Sequence, residues 1–212
     1  AGAGFGTDGG TLLFGIRENN YLGKGLIVKA QANLSADSIK GEFGVTNPNY
    51  NNSDKMVFSN FKASEIDRLT SSGYKTNKTG FEVGTKFEYL EDFKLGASGR
   101  SFYEKIETDS TASATQQKQE GDYWDTFLNL DFDYDKRNQK FQTTKGYRSI
   151  FNLDIPLISD TSTLTNSYDF RKYTEMYENN RTSFSFSIKS TFSVTGEDVK
   201  LSERLLVPSS KL

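Results

Sequence analysis

The sequence contains no cysteine and no histidine, and it has only three prolines and one tryptophan. Without cysteine the chain can form neither a disulfide framework nor a thiolate metal site. Without histidine it lacks the commonest general base and the commonest metal ligand, and catalytic triads built on histidine are excluded. These absences argue against an enzyme, and we expect no catalytic residue, no metal and no cofactor.

Long apolar runs are also missing, since the longest are short ones such as Leu12 to Phe14 and Leu205 to Val207. A membrane-spanning helix needs about 20 consecutive, mostly apolar residues, so helical spans are excluded. The mean hydropathy of -0.64 does not exclude a membrane β-barrel, because barrel strands carry an apolar residue only at every second position. The net charge is -2 and both signs are spread along the chain, so no basic surface for nucleic acid is indicated.

Aromatic residues and alternating strands are what the sequence has in quantity. Seventeen phenylalanines and eleven tyrosines favour strands over helices. Apolar and polar residues alternate in Leu26 to Ser35, Ser38 to Thr46, Phe81 to Leu90 and Trp124 to Asp135. Such segments, about ten residues long, suit tilted strands that cross a bilayer better than the shorter strands of globular proteins. The pattern predicts an all-β fold, an antiparallel transmembrane β-barrel.

The remaining chain predicts further strands and the connections between them. Strands are predicted at 10–18, 55–63, 93–106, 147–156, 167–178, 182–194 and 199–207, which with the glycine-rich N-terminus gives about eleven or twelve. Ser64 to Lys78 and Glu107 to Gly121 are predicted to be long loops, whereas Leu90 to Asp92 and 179–181 are predicted to be tight turns. Long loops that alternate with tight turns are typical of outer-membrane barrels. No linker or repeat divides the chain, so we expect one domain over 1–212.

The alternation assigns side chains to two faces of the predicted barrel. The positions expected to meet lipid include Leu12, Phe14, Ile16, Val28, Phe43 and Val45. The positions expected to line a water-filled lumen include Lys40, Glu42, Lys86, Glu88, Asp125, Asp131 and Asp133. Asp131, Asp133 and Asp135 could instead form a carboxylate pair or a metal site, but no other residue completes a catalytic set. The aromatics could likewise stack on sugars or single-stranded nucleic acid, although a girdle at the membrane surface is the simpler interpretation.

Four short motifs stand in a recognisable order. A glycine-rich start, Gly2, Gly4, Gly6, Gly9 and Gly10, leads into ENNYLGKG over 18–25, with Asn20, Gly23 and Gly25. No Gly-Lys-Ser or Gly-Lys-Thr follows these glycines, so a phosphate-binding loop is not indicated. VTNPNY over 45–50 contains Asn47 and Pro48, and YDKRNQKFQTTKGYR over 134–148 contains Asp135, Arg137, Thr143 and Gly146. KLSERLLVPSSKL completes the chain at 200–212.

In order and spacing these motifs resemble the barrel domain of the BamA family of outer-membrane β-barrel assembly factors, within the bacterial surface antigens. Asn138 and Gln142 stand where that family usually has Asp and Pro. The resemblance implies roughly sixteen strands, of which this chain supplies about the first two thirds. Because the chain begins inside the glycine run, periplasmic polypeptide-transport-associated domains are expected before it and the last strands after it.

The resemblance also implies a function and a gate. The function is the assembly and insertion of β-barrel proteins into the outer membrane of a Gram-negative bacterium, with lipid, unfolded barrel clients and accessory lipoproteins as partners. The lateral-gate strand is expected at Ala1, Gly2, Ala3, Gly4, Phe5, Gly6 and Thr7, where glycines leave room for a client strand to approach. A related translocation barrel (a translocation-and-assembly factor or a two-partner secretion transporter), a passive porin-like channel and a soluble sugar-binding β-sandwich remain alternatives.

Overall fold

The computed structural model describes residues 1–6, 9–159, 162–178, 180–196, 198–200 and 203–205. One antiparallel sheet of eleven strands runs in sequence order from β1 to β11. The strands are β1 (Gly2–Gly6), β2 (Gly9–Tyr21), β3 (Leu26–Ser35), β4 (Ser38–Asn47), β5 (Met56–Arg68), β6 (Tyr74–Leu90), β7 (Phe93–Thr108), β8 (Gly121–Asp135), β9 (Gly146–Ile158), β10 (Thr163–Glu175) and β11 (Arg181–Ser193). The helices are two single turns, α1 (Leu69–Ser72) and α2 (Ala114–Gln117), and a 3-10 turn lies at Tyr50–Asn52. In the part of the chain so described, no helix is long and apolar enough to cross a bilayer.

The all-β class and the antiparallel order predicted from the sequence are confirmed, and β3 has the predicted bounds. The last predicted strand, 199–207, is wrong where the structure describes it, because residues 198–200 and 203–205 are not in a strand. Lys200 is instead buried against two carboxylates of the sheet. An alternating pattern of apolar and polar residues predicts a strand. It cannot show that a lysine of the segment will instead be buried against carboxylates of the sheet.

The predicted loop over Ser64 to Lys78 is also wrong. β5 continues to Arg68 and β6 begins at Tyr74, so that only α1 and Gly73, at φ 73°, separate them. Lys75 and Glu65 form an ion pair of 2.7 Å across these two strands. The segment is polar because the strand pair carries charged residues on both faces, which composition alone cannot distinguish from a loop. The predicted contrast between long loops and tight turns is weakened accordingly, whereas the connection 109–120 between β7 and β8 is a long one.

The strand register sorts the side chains onto two faces, which we call the apolar face and the charged face. On the apolar face Ile16, Ala30, Phe43, Phe61 and Phe81 lie side by side on β2 to β6. On the charged face Gln31, Glu42 and Lys62 are neighbours on β3 to β5. The registers of β2 to β8 place all six residues expected to meet lipid on the apolar face. They place all seven residues expected to line a lumen on the charged face.

Burial distinguishes the two faces. Glu104, Asp125 and Ile106, which lie on the charged face, are 0%, 0% and 1% exposed, whereas large side chains of the apolar face such as Phe43 and Trp124 remain about half exposed. The charged face is therefore the inner one of a curved sheet. The outer face is a continuous apolar surface, far larger than a monomeric soluble protein leaves in water.

Two rows of aromatic residues border the apolar face. Tyr103 and Trp124 lie together at one border, with ring centroids 6.4 Å apart, and Phe93, Tyr134 and Tyr147 lie at the other, with centroids 5.8 to 6.2 Å apart. About ten residues of β8 separate Trp124 from Tyr134, or roughly 34 Å along a strand. A strand tilt of about 40° reduces this to roughly 26 Å of height, which matches the apolar band of an outer-membrane barrel.

Neighbouring residues in the middle of β3 test which face meets lipid. Ala30 lies on the apolar face between Ile16 and Phe43, and Gln31 lies on the charged face beside Glu42. We expect Ala30→Arg to lower the free energy of unfolding by about 2 to 4 kcal/mol because the guanidinium enters hydrocarbon, and Gln31→Arg to be nearly neutral. Urea unfolding of the full-length protein in lipid vesicles measures both. Equal stability of the two variants would contradict the assignment of the faces.

Candidate functional site

The first strand carries the glycine-rich start of the sequence. β1 has five residues and pairs with the first part of β2, from Gly2 opposite Leu13 to Gly6 opposite Gly9. In the described sheet β1 and β11 are the two edge strands. Of the predicted gate residues, Thr7 lies outside the described part of the chain.

The glycines of β1 leave open space. A Cβ atom placed on Gly2 or on Gly4 would meet no atom within 4 Å. Glycine at these positions is therefore not required by crowding from the sheet, and it weakens the strand through its backbone entropy. The two described glycines thus keep the surface of β1 open.

The predicted motifs at 20–25 and 47–48 form turns. Asn20 accepts hydrogen bonds from the backbone N–H of Gly23, at its carbonyl (3.0 Å), and from that of Gly25, at its side chain (2.7 Å). Gly23 and Gly25 have φ angles of 71° and 68°, which glycine adopts at no steric cost. Asn47 accepts a bond from the N–H of Asn49 at 3.1 Å, immediately around Pro48. These residues shape the connections at one end of the sheet.

Ion pairs brace the charged face between adjacent strands. Lys29 of β3 lies 3.3 Å from Glu42 of β4, and Lys62 of β5 lies 3.2 Å from Glu82 of β6. Ser98 of β7 also donates to Glu82, at 3.0 Å. Carboxylates on this face therefore accept from two neighbouring strands at once.

Ion pairs also span two strands where the middle strand provides glycine. Lys86 of β6 and Asp131 of β8 form an ion pair across Gly96 of β7, and a Cβ atom on Gly96 would crowd the Asp131 side chain at 3.2 Å. Lys86 also lies 3.3 Å from Asp133, which accepts two further bonds from Arg148 of β9, at 2.9 and 2.8 Å. β6, β8 and β9 are thus tied through one buried carboxylate.

A second tie of this kind joins β7 and β9. Arg100 of β7 forms an ion pair with Asp154 of β9, and Asn129 of the intervening β8 donates to the same carboxylate at 2.6 Å. Arg100, Arg148 and Asp154 were not predicted from the sequence. All three stand at polar positions of alternating strands, so the period-two rule could have indicated them, but not their partners.

Residues 198–200 and 203–205 lie beside the charged face near β7 and β8. The Lys200 ammonium contacts Asp125, lies 3.5 Å from Glu104 and stands 4.7 Å from the centre of the Tyr123 ring. Burial disfavours this ammonium, but the hydrogen bond to Asp125 and the charge of Glu104 outweigh the burial and raise the pKa of Lys200. Burial also raises the pKa of Glu203, against a hydrogen bond from Thr163. The segment therefore covers the inner face between these strands.

The motif over 135–146 forms the loop that joins the C-terminal end of β8 to β9. Arg137 donates two bonds of 2.7 Å to Asp135, and this pairing raises the pKa of Arg137. Thr143 is buried and donates to the carbonyl of Gln139 at 2.7 Å. Gly146, at φ 99°, packs against the backbone carbonyl of Lys136, where a Cβ atom would clash. All four motif residues thus stabilise the loop itself.

The structure brings together some of the residues predicted to line a lumen and leaves others apart. Asp131, Asp133 and Lys86 meet in one network, and Asp125 meets Lys200. Glu88 accepts a bond from the backbone N–H of Asp92 at 3.2 Å. Lys40 forms no ion pair among the described residues.

The carboxylates of the charged face are paired with cations. Asp131, Asp133 and Asp135 each lie against lysine or arginine side chains, so their charge is compensated by cations of the same wall. In the described ranges no group of three or more aspartates, glutamates, histidines or cysteines is placed to hold a metal ion. The arrangement provides a rigid, polar wall.

Neutralising Asp133 tests this bracing. We expect Asp133→Asn to lower the free energy of unfolding by about 1 to 3 kcal/mol, because Arg148 and Lys86 lose their shared carboxylate while remaining part-buried. Asp169→Asn is the matched control, since Asp169 lies on the same face, is exposed, and has no ion pair in the part of the chain described. Urea unfolding in vesicles compares them. A control as destabilised as Asp133→Asn would show that the network does not brace the sheet.

Comparisons with known proteins agree with this geometry. The Omp85 superfamily domain matches residues 20–207. Among solved structures, the crystal structure of BamA from Haemophilus ducreyi lacking POTRA domains 1–3 superposes with a TM-score of 0.81 at 18% identity. The match covers 95% of this chain and 42% of that one, so the chain spans less than half of the BamA chain. No curated protein sequence matches.

The family match covers most of the chain, and the fold of a BamA barrel reproduces its eleven-stranded sheet. The chain belongs to the Omp85 superfamily.

Proposed function

We propose that this chain is part of an outer-membrane barrel that inserts β-barrel proteins into the membrane by opening beside β1 and templating a client strand on it. The observation that carries the proposal is the open surface of β1, where a Cβ atom on Gly2 or Gly4 would meet no atom within 4 Å. Membership of the Omp85 superfamily supports a role in outer-membrane insertion or translocation. The apolar face and its aromatic borders support the membrane location.

The physical reason for templating is that a strand edge which opens inside the membrane needs new backbone partners. Backbone N–H and C=O groups exposed to hydrocarbon cost several kcal/mol each unless they are bonded. An arriving strand satisfies them by β-augmentation, and Gly2 and Gly4 offer no side chain that would keep it away. This function needs no covalent chemistry, and we propose that the protein is not an enzyme and needs no cofactor.

The contacts of a client strand distinguish insertion from the alternatives. A passive channel binds no client strand at β1. Related translocation barrels share the barrel but not the clients. The client strand is therefore expected to contact β1 in an insertion factor and the charged face in a translocation barrel.

Site-specific photocrosslinking tests the proposal. The photoreactive residue p-benzoylphenylalanine replaces Ala3 in β1 or, as a control, Phe61 in β5, which pairs on both sides. Both positions lie on the apolar face. The full-length protein in vesicles is given an unfolded eight-stranded barrel client, and we expect adducts at Ala3 at least about tenfold above those at Phe61.

Two results would contradict the proposal. Equal adduct yields at Ala3 and Phe61 would mean that the client does not dock on the edge strand. Adducts from a charged-face position such as Lys62, with none from Ala3, would favour translocation through the lumen.

A further inference from the structure

The most exposed large apolar side chain among the described residues does not lie on the apolar face. Phe141 is 88% exposed and stands in the loop 136–145 between β8 and β9. The other exposed aromatic residues of β2 to β11 are accounted for by the surface that meets lipid. Phe141 is not, because it lies outside the strands and beyond the aromatic border formed by Tyr134 and Tyr147.

The loop holds Phe141 in a fixed position. The Asn138 side chain donates to Thr144 at 2.9 Å and accepts from the backbone N–H groups of Thr144 and Lys145, both at 3.2 Å. The Gln139 side chain donates to the carbonyl of Gln142 at 2.8 Å, and Gln142 itself adopts φ 52°. Bonds therefore close the loop on both sides of Phe141, so that little ordering entropy remains to be lost on binding.

Two cations flank the exposed ring. Lys140 and Lys145 are exposed and form no ion pair in the ranges that the structure describes. The other cations of the loop differ, since Lys136 lies 2.7 Å from Asp92 and Arg137 is paired with Asp135. The tip of the loop thus presents one aromatic ring and two uncompensated positive charges.

The loop is directed over the charged face rather than towards lipid. Asn138, Gln139 and Lys140 line a cavity of about 520 Å³ together with Asp133 and Arg148, which both lie on the charged face. The three residues that precede Phe141 thus lie on the side of the sheet away from the apolar face. A protein partner therefore fits the position better than a membrane does.

We infer that Phe141, Lys140 and Lys145 form a docking knob for a protein surface that has an apolar socket bordered by carboxylates. Aromatic residues in a fixed, exposed position are typical anchors of protein interfaces. The flanking lysines select an acidic border and accelerate encounter. This interaction involves the loop between β8 and β9, whereas client docking involves β1. The inference therefore does not depend on the insertion proposal.

Photocrosslinking in growing cells identifies the partner. The full-length protein carries p-benzoylphenylalanine at 141 or, as a control, at Tyr177, which is 75% exposed in the connection 176–180 at the same end of the sheet. Adducts are identified by mass spectrometry of the crosslinked peptide. We expect one protein adduct at 141 that is absent at 177, with aspartate or glutamate beside the crosslinked site.

Charge reversal then tests how the partner binds. Binding of the purified partner to the full-length protein is measured for Phe141→Ala and for the double variant Lys140→Glu and Lys145→Glu, and each is expected to weaken binding at least about tenfold. The control reverses Lys24 and Lys55, which are exposed lysines of two other connections at that end. It is expected to change binding less than about twofold. Cold and heated electrophoretic migration checks that each variant is folded.

Three results would overturn the inference. The first is no protein adduct at 141 above the Tyr177 control. The second is an adduct whose affinity the Lys140 and Lys145 reversal leaves unchanged. The third is strong quenching of a Phe141→Trp variant by brominated lipid, which would identify the membrane as what the ring contacts.

Discussion

Compensation of charge across the inner face is the interaction on which the rest of the sheet depends. The period of two places charged side chains on a face that the curvature of the sheet buries, and an uncompensated charge there costs several kcal/mol. The charge of Asp133 is compensated because its carboxylate accepts from Lys86 of β6 and from Arg148 of β9. Gly96 contributes to this compensation, since a side chain at this position would obstruct the pair that Lys86 forms with Asp131. The glycine in this position is therefore explained by the ion pair beside it.

The same requirement explains how a polar chain can present an apolar exterior. Along each strand, charged side chains on the inner face alternate with apolar side chains on the outer face. On β8, Trp124 and Tyr134 border an apolar band whose height matches the bilayer. Beyond this band the outer face becomes charged, as the Lys75 and Glu65 pair shows. β5 and β6 consequently continue past the membrane as strands.

Sequence patterns predicted the fold well and the inner network only in part. The alternation in β3, β4 and β8 is strong because one face of each strand is uniformly apolar, so their positions and facing could be predicted. The alternation fails at 64–78, where both strand faces carry charged residues, and in the described part of 199–207, where Lys200 is buried against Asp125. Partners such as Arg100 and Asp154 are 54 residues apart and are joined only through the register of three strands. Single-sequence periodicity contains no register, so these pairs could not be predicted.

The distribution of the bracing is uneven in a way that suits the proposed opening. From β5 to β9, adjacent and next-nearest strands share carboxylates, whereas the described part of β1 and β2 contributes Gly2, Gly4, Thr11 and Leu13 to the inner face, none of which can form an ion pair. Arg17, the cation of β2 on that face, donates to Asn19 of its own strand. No ion pair joins β1 to β2 in the part of the chain that the structure describes, so the backbone bonds between these strands can be exchanged for equivalent bonds to another strand without leaving a buried charge unpaired. Separation at this edge therefore costs less than separation anywhere within β5 to β9, and an exchange of strands is physically easiest where the sequence places its first glycines.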